Sequence, residues 1–236
     1  MKRLLIGLVL MAALVVAADR GGLWLAERVA ADRAREQGLR GAVVDVRGVP
    51  FLTQLASRDL REVVVTGDAY RTDLGDPGIG GAGIVPMDVT GIRVLARDVS
   101  IDSPRHVTAA HLTVAGVVRY AAVSQAAGSG TEVTAAADGQ VQVQRSVTIF
   151  GRSLQVRALA SVTAAPGEIV LRPTEASMEG AGPLGAIATD ALISLVTLRY
   201  PVPDLPEGLV LTEAVPTAQG LAVVLTGRSV TLSQLR

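Results

Sequence analysis

The chain has 236 residues, enough for one large domain or two small ones, and no cysteine, which rules out disulfides and thiolate metal sites. Its formal charge is zero, and about −2 without residues 1–18 (20 basic against 22 acidic), so bulk electrostatics give no basis for nucleic-acid binding. Hydrophobic residues make up 49% but aromatics only 3%, so the apolar content is mostly Ala, Val and Leu.

Residues 1–18 have the layout of an export signal. Lys2 and Arg3 precede an apolar run over residues 4–18, and Val16, Ala17 and Ala18 supply small side chains for cleavage. The run is short of the roughly 20 residues that span a bilayer and fits a signal core of about 7–15. Leu23, Trp24 and Leu25 extend the apolar character past Asp19 and Arg20, so a retained N-terminal anchor is the alternative. Either reading places residues 19–236 outside the cytoplasm, as a single domain. No cysteine follows the run to carry a lipid anchor.

Residues 23–37, "LWLAERVAADRAREQ", predict an amphipathic helix. Leu25, Ala26, Val29, Ala30 and Ala34 fall at helical spacing, and Gly38 follows as a stop. Its polar face is mixed in sign, unlike the basic face of a membrane-surface helix. From residue 42 the period becomes two. "AVVDVRGV", "REVVVTG", "LTVAGVVRY", "QVQVQRSVTIF", "SLQVRALASV", "EIVLRP", "GLVLTEAV" and "GLAVVLTGRSVTL" read as strands with one face inward, the pattern of antiparallel sheets. Residues 184–200, "LGAIATDALISLVTLRY", have helical spacing and are apolar nearly all round, with Pro201 and Pro203 as the stop. The order of elements predicts an α+β fold with segregated helices.

No chemical motif carries an enzyme reading. Gly78, Gly80 and Gly83 make a literal GxGxxG, but Pro86 follows where a phosphate-binding helix would begin, so a Gly-rich loop is the simpler reading. His106 and His111 lie five apart on a strand, without the context of a metal site. Asp98 and Asp102 could share a strand face, yet nothing indicates the desolvation that acid–base catalysis needs. The sequence gives no candidate catalytic residue, metal ligand or cofactor site. What stands out is aliphatic surface, which suits either a packed core or a channel for acyl chains. The turn "GVPFLTQL" poses the same choice. Pro50, Phe51, Leu52 and Leu55 either staple the first helix to the sheet or form a groove end or mouth, where a lipid tail enters or the protein dips into a bilayer.

At this point a resemblance enters. The helix "LAERVAADRA", then "VDVRGVPFLTQLASRDLREVVVTG", "VAGVVRYAAV" and "RYPVPDLPEGLVLTEAVPTAQGLAVVLTG" follow one another as in the LmeA-like family of exported phospholipid-binding proteins. "PFLTQL" and "PVPDLPEGL" are its most specific pieces, and the similarity spans nearly all of the exported part. The Gly-rich loop departs from the pattern. The resemblance implies a tubular lipid-binding, BPI-like architecture. In it a long curved antiparallel sheet wraps a long helix and leaves an elongated apolar groove.

It also implies non-enzymatic binding, or transfer, of a phospholipid or glycolipid in the cell envelope or periplasmic space. That activity would support lipoglycan biogenesis at a membrane surface, with an envelope glycosyltransferase as a partner. The side chains expected to line the groove are Phe51, Leu52, Leu55, Val63, Val65, Leu112, Val114, Val118, Leu154, Val156, Leu192, Leu195, Leu221 and Val223. A structural or protein-binding envelope scaffold with a fully packed core is the alternative.

Overall fold

A computed structural model describes residues 2–74, 85–103, 106–149, 152–178, 197–202, 205 and 207–231. Within these, it gives only the backbone of residues 2–18, 71–74, 85–87, 147–149, 152–154, 178 and 201.

The described chain is mostly strand, which corrects the α+β expectation. Helix α1 (Lys2–Glu36) leads into β1 (Val43–Arg47) and the short helix α2 (Phe51–Ser57). Three long strands follow: β2 (Asp59–Leu74), β3 (Val85–Ser103) and β4 (His106–Arg119). Helix α3 (Tyr120–Ala126) then crosses to β5 (Thr131–Ala135), β6 (Val141–Ile149), β7 (Arg152–Ala165), β8 (Glu168–Met178) and β9 (Leu198–Pro201). Strands β10 (Leu209–Pro216) and β11 (Gly220–Thr231) close the chain.

The strands form two antiparallel sheets. Sheet A has the order β1-β2-β3-β4-β11-β10, and sheet B runs β5-β6-β7-β8-β9. The last hairpin therefore returns to sheet A, with β11 beside β4. Among the described residues no sheet wraps a long helix, which corrects the architecture that the resemblance implied. α1 lies along the edge of sheet A, against β1 and α2. The reason lies in its side chains. Over residues 19–36, Ala31 is buried and Leu23, Ala26 and Ala30 pack beside it, but Trp24, Leu25 and Val29 are exposed, so this part of α1 offers one narrow stripe.

Three clusters make the core. The largest lies between the sheets and under α3, and includes Val141, Val143, Leu171 and Leu198. A second joins Ala96, Val99, Ala109, Leu112, Leu209 and Val230 within sheet A. The third holds α1 and α2 to β1 through Ala31, Val44, Val46 and Phe51. Two non-glycine residues with positive φ, Asp98 (φ 50) in β3 and Ser229 (φ 52) in β11, kink sheet A at neighbouring positions. Beyond the kink Val230 turns back beside Gly227, where a Cβ would meet its Cγ2 at 2.5 Å. The kinks thus bring Val99 and Val230 into one cluster with Ala96 and Leu112.

The helix expected over residues 184–200 lies outside the described residues up to 196. Its last part is the strand β9, where Leu198 and Tyr200 are buried and Arg199 is exposed. That alternation of period two outweighs the helical spacing read across the longer window. The Gly-rich loop, residues 75–84, also lies outside the described residues.

Candidate functional site: an aliphatic floor on sheet A

Register places aliphatic side chains side by side across all six strands of sheet A. Val44 pairs with Val65, Val65 with Val94, Val94 with Val114, Val114 with Leu225, and Leu225 with Leu211. The adjoining row runs Val46, Val63, Ala96, Leu112, Gly227, Leu209. Residues two apart share a face, so both rows belong to one surface. The row ends Val44 and Leu211 are buried, whereas Val65, Val94, Val114 and Leu225 between them are half-buried. The floor is therefore packed at its flanks and accessible along its middle. Packing against these strands comes from α1 on β1, α2 on β2, α3 on β3 and β4, and β7 of sheet B on β10.

From Leu60 to Val65 the floor is about 17 Å long, at about 3.4 Å per residue. Half of a bilayer's hydrocarbon core is about 15 Å. The face has the length and the chemistry of one leaflet's acyl region. Its side chains carry no group that could act as acid, base or nucleophile. Among the described residues no group of three His, Asp or Glu side chains is placed to hold a metal.

The opposite face of the same strands is charged. Glu62 accepts from Arg47 at 2.9 Å and from Arg97 at 3.2 Å. Hydrogen bonding to Arg97, followed by that to Arg47, holds the Glu62 carboxyl below the ordinary carboxylate range against the opposing effect of desolvation. The register continues this row through His111 to Arg228. The adjoining row on this face is mixed, since Asp45 and Leu95 flank Val64, which is buried, so the charge is concentrated in the Glu62 row. His106 and His111 are both exposed on β4, and Asp98 and Asp102 are exposed on β3.

The free edge of β1 faces α1. Glu27 Oε1 accepts the Val46 N–H at 2.9 Å, and Arg35 donates to the Ala42 carbonyl at 2.9 Å. These contacts occupy an edge that would otherwise offer unpaired backbone groups to another strand. Between them lies an open groove of about 410 Å³ beside Trp24 and Arg28. Its charged lining makes it a poor match for an acyl chain.

The expected lining residues fall into four groups. Val63, Val65, Leu112 and Val114 come together on the floor, although Leu112 is 3% exposed. Val118, Val156, Leu221 and Val223 are buried in the core shared by the two sheets. Leu154 belongs to β7, with its side chain outside the described residues, and Leu192 and Leu195 lie outside them altogether. The apolar turn is α2, and it divides the two readings made of it. Phe51, 2% exposed, packs under α1, while Leu52 and Leu55 stand exposed. Val94, Leu225 and Leu211 share the floor and were absent from the expected lining. Their alternation in "GIRVLAR", "GLAVVLTG" and "GLVLTEAV" was the available signal.

No curated protein and no solved structure matches the chain. A family model described as LmeA-like phospholipid-binding matches residues 17–226, from within α1 to within β11. With that match over most of its length, the chain belongs to the LmeA-like phospholipid-binding family.

Proposed function

We propose that this protein binds a phospholipid or related envelope lipid without covalent chemistry, laying acyl chain along the aliphatic floor of sheet A. The observation that carries the reading is the half-buried valine row Val65, Val94, Val114, continued by Leu225, in a member of a phospholipid-binding family. Each acyl methylene moved from water onto such a face contributes about 0.8 kcal/mol, so a chain of ordinary length supplies ample gross driving force before ordering costs. The Glu62 row on the opposite face stays hydrated, so the same sheet carries lipid on one side only.

The export layout of residues 1–18 supports a location outside the cytoplasm, in the cell envelope. There the protein would hold lipid at, or carry it between, membrane surfaces in support of lipoglycan biogenesis. An envelope glycosyltransferase that consumes the presented lipid is the corresponding partner. The absence of an acid–base or nucleophilic group on the floor supports a binding role rather than an enzymatic one.

Native mass spectrometry of the protein purified without detergent, with lipid extraction alongside, tests the reading. A stoichiometric lipid adduct is the expected result and names the ligand class. A bare mass that persists after mixing with phospholipid vesicles overturns it in favour of a protein-binding scaffold.

A further inference from the structure

Three exposed apolar side chains cluster around α2. Val49 is 67% exposed, Leu52 41% and Leu55 47%. The helix itself, "FLTQLAS", carries no charge. Phe51 and Gln54 are the buried residues of α2, so its three exposed apolar neighbours are not needed to pack it.

What fixes the tip in place is α1. Asp19, only 7% exposed, accepts the Leu52 N–H on Oδ1 at 2.6 Å, at the first turn of α2. Gly22 lies against the same side chain, with a Cβ built there at ordinary contact distance, 3.4 Å, from Leu52 Cδ2. Leu52 is thereby held against residues 19–22, the turn that directly follows the apolar run 4–18. The backbone of α1 is one helix from Lys2 to Glu36, unbroken at residues 16–18.

The only tryptophan adds an independent mark. Trp24 is 59% exposed and lies about 9 Å along the axis from residue 18, at about 1.5 Å per residue. The Arg28 guanidinium sits 5.4 Å from its ring centroid. A tryptophan with a cation over its face, just past an apolar helical run, is the arrangement favoured at a membrane–water boundary.

We propose that Val49, Leu52 and Leu55 enter a lipid leaflet next to the apolar run 4–18, with Trp24 at headgroup level. The proposal rests on the lipid-binding reading for its consequence. Phe51 and Leu60 share a cluster with Val63 and Val65, so the tip stands at one end of the floor. Seating the tip in the leaflet opens that end towards the bilayer.

The chain has no cysteine, so Leu52→Cys gives a unique attachment point for an environment-sensitive fluorophore in the full-length protein. Val215→Cys on β10, an exposed site of similar character, is the control. Both are reconstituted in phosphatidylcholine–phosphatidylglycerol vesicles that contain spin-labelled phospholipid. The expected result is a blue shift at position 52, with quenching that rises with the surface density of spin label, and neither at 215. Emission at 52 that stays water-like, and as open to aqueous iodide as at 215, overturns the proposal. So does quenching that saturates at one lipid per protein and survives removal of the vesicles, because it marks a bound ligand. A blue shift already present before vesicles are added marks a protein contact and also overturns it. Leu55→Cys repeats the measurement should the first variant fold poorly. A lipid adduct in the mass spectrum without bilayer quenching sinks the tip and leaves the lipid-binding reading intact; bilayer quenching without an adduct does the reverse.

Discussion

The hydroxyl of Tyr200 donates to the carbonyl oxygen of Val123 at 3.1 Å, inside the largest core cluster. This contact ties β9, the edge of sheet B, to α3, the helix through which the chain leaves sheet A. Burial raises the phenol pKa above its ordinary value, so it remains a neutral donor. Tyr200→Phe keeps the ring and removes one of two hydrogen bonds to this carbonyl, which still accepts the Ala127 N–H at 2.9 Å. The expected loss is about 0.5–1.5 kcal/mol, read from urea denaturation.

The floor and the core should respond differently to substitution. Val65→Ser with Val114→Ser changes half-buried sites, so the cost in stability is small, whereas extracted lipid per folded molecule falls. Leu171→Ala empties a site of 0% exposure and costs about 3 kcal/mol. Lipid extraction from the folded fraction and thermal denaturation separate the two effects. Equal lipid content in the serine double variant and the parent protein would remove the floor as the binding surface.

The kink at Ser229 depends on a left-handed backbone, φ 52. Glycine adopts that conformation freely, and a β-branched residue resists it. Ser229→Gly is expected to leave stability within about 1 kcal/mol of the parent, while Ser229→Val loses about 1–3 kcal/mol. Thermal melts of the pair provide the check. A valine variant as stable as the glycine variant would mean that the kink is not held by this residue.

Glu62 gives sheet A a pH dependence of known sign. Its folded pKa is depressed, first by Arg97 and then by Arg47. A depressed carboxylate contributes stability that is present above its unfolded pKa and is lost as pH falls through the folded value. Glu62→Gln should lower stability at neutral and alkaline pH, and the difference from the parent should vanish as pH falls through the folded pKa, so this part of the acid limb flattens. Denaturation midpoints followed down the acid range compare the two proteins.

Local pattern made the strands legible. Alternation in "QVQVQRSVTI" and "SLQVRALASV" follows from a sheet with one wet face, and each run became a strand, β6 and β7. Family membership was also legible, because ordered segments such as "PFLTQL" and "PVPDLPEGL" survive in the linear chain. The sequence likewise determined that sheet A would be aliphatic on one side and carry the charged Glu62 row on the other, since period two assigns alternate residues to opposite faces.

Tertiary structure alone decided which aliphatic residues stay accessible. Val114 and Val118 lie on the same strand and look alike in sequence, yet Val114 is half-buried on the floor and Val118 is 5% exposed in the inter-sheet core. The difference comes from where sheet B and α3 pack, a long-range fact that no window of sequence contains. The place of α1 was decided in the same way. Its periodicity predicted a helix, whereas long-range contacts fix it at a sheet edge: Ala31 packs with Val44 and Val46, Glu27 accepts the Val46 N–H, and Arg35 donates to the Ala42 carbonyl just before β1.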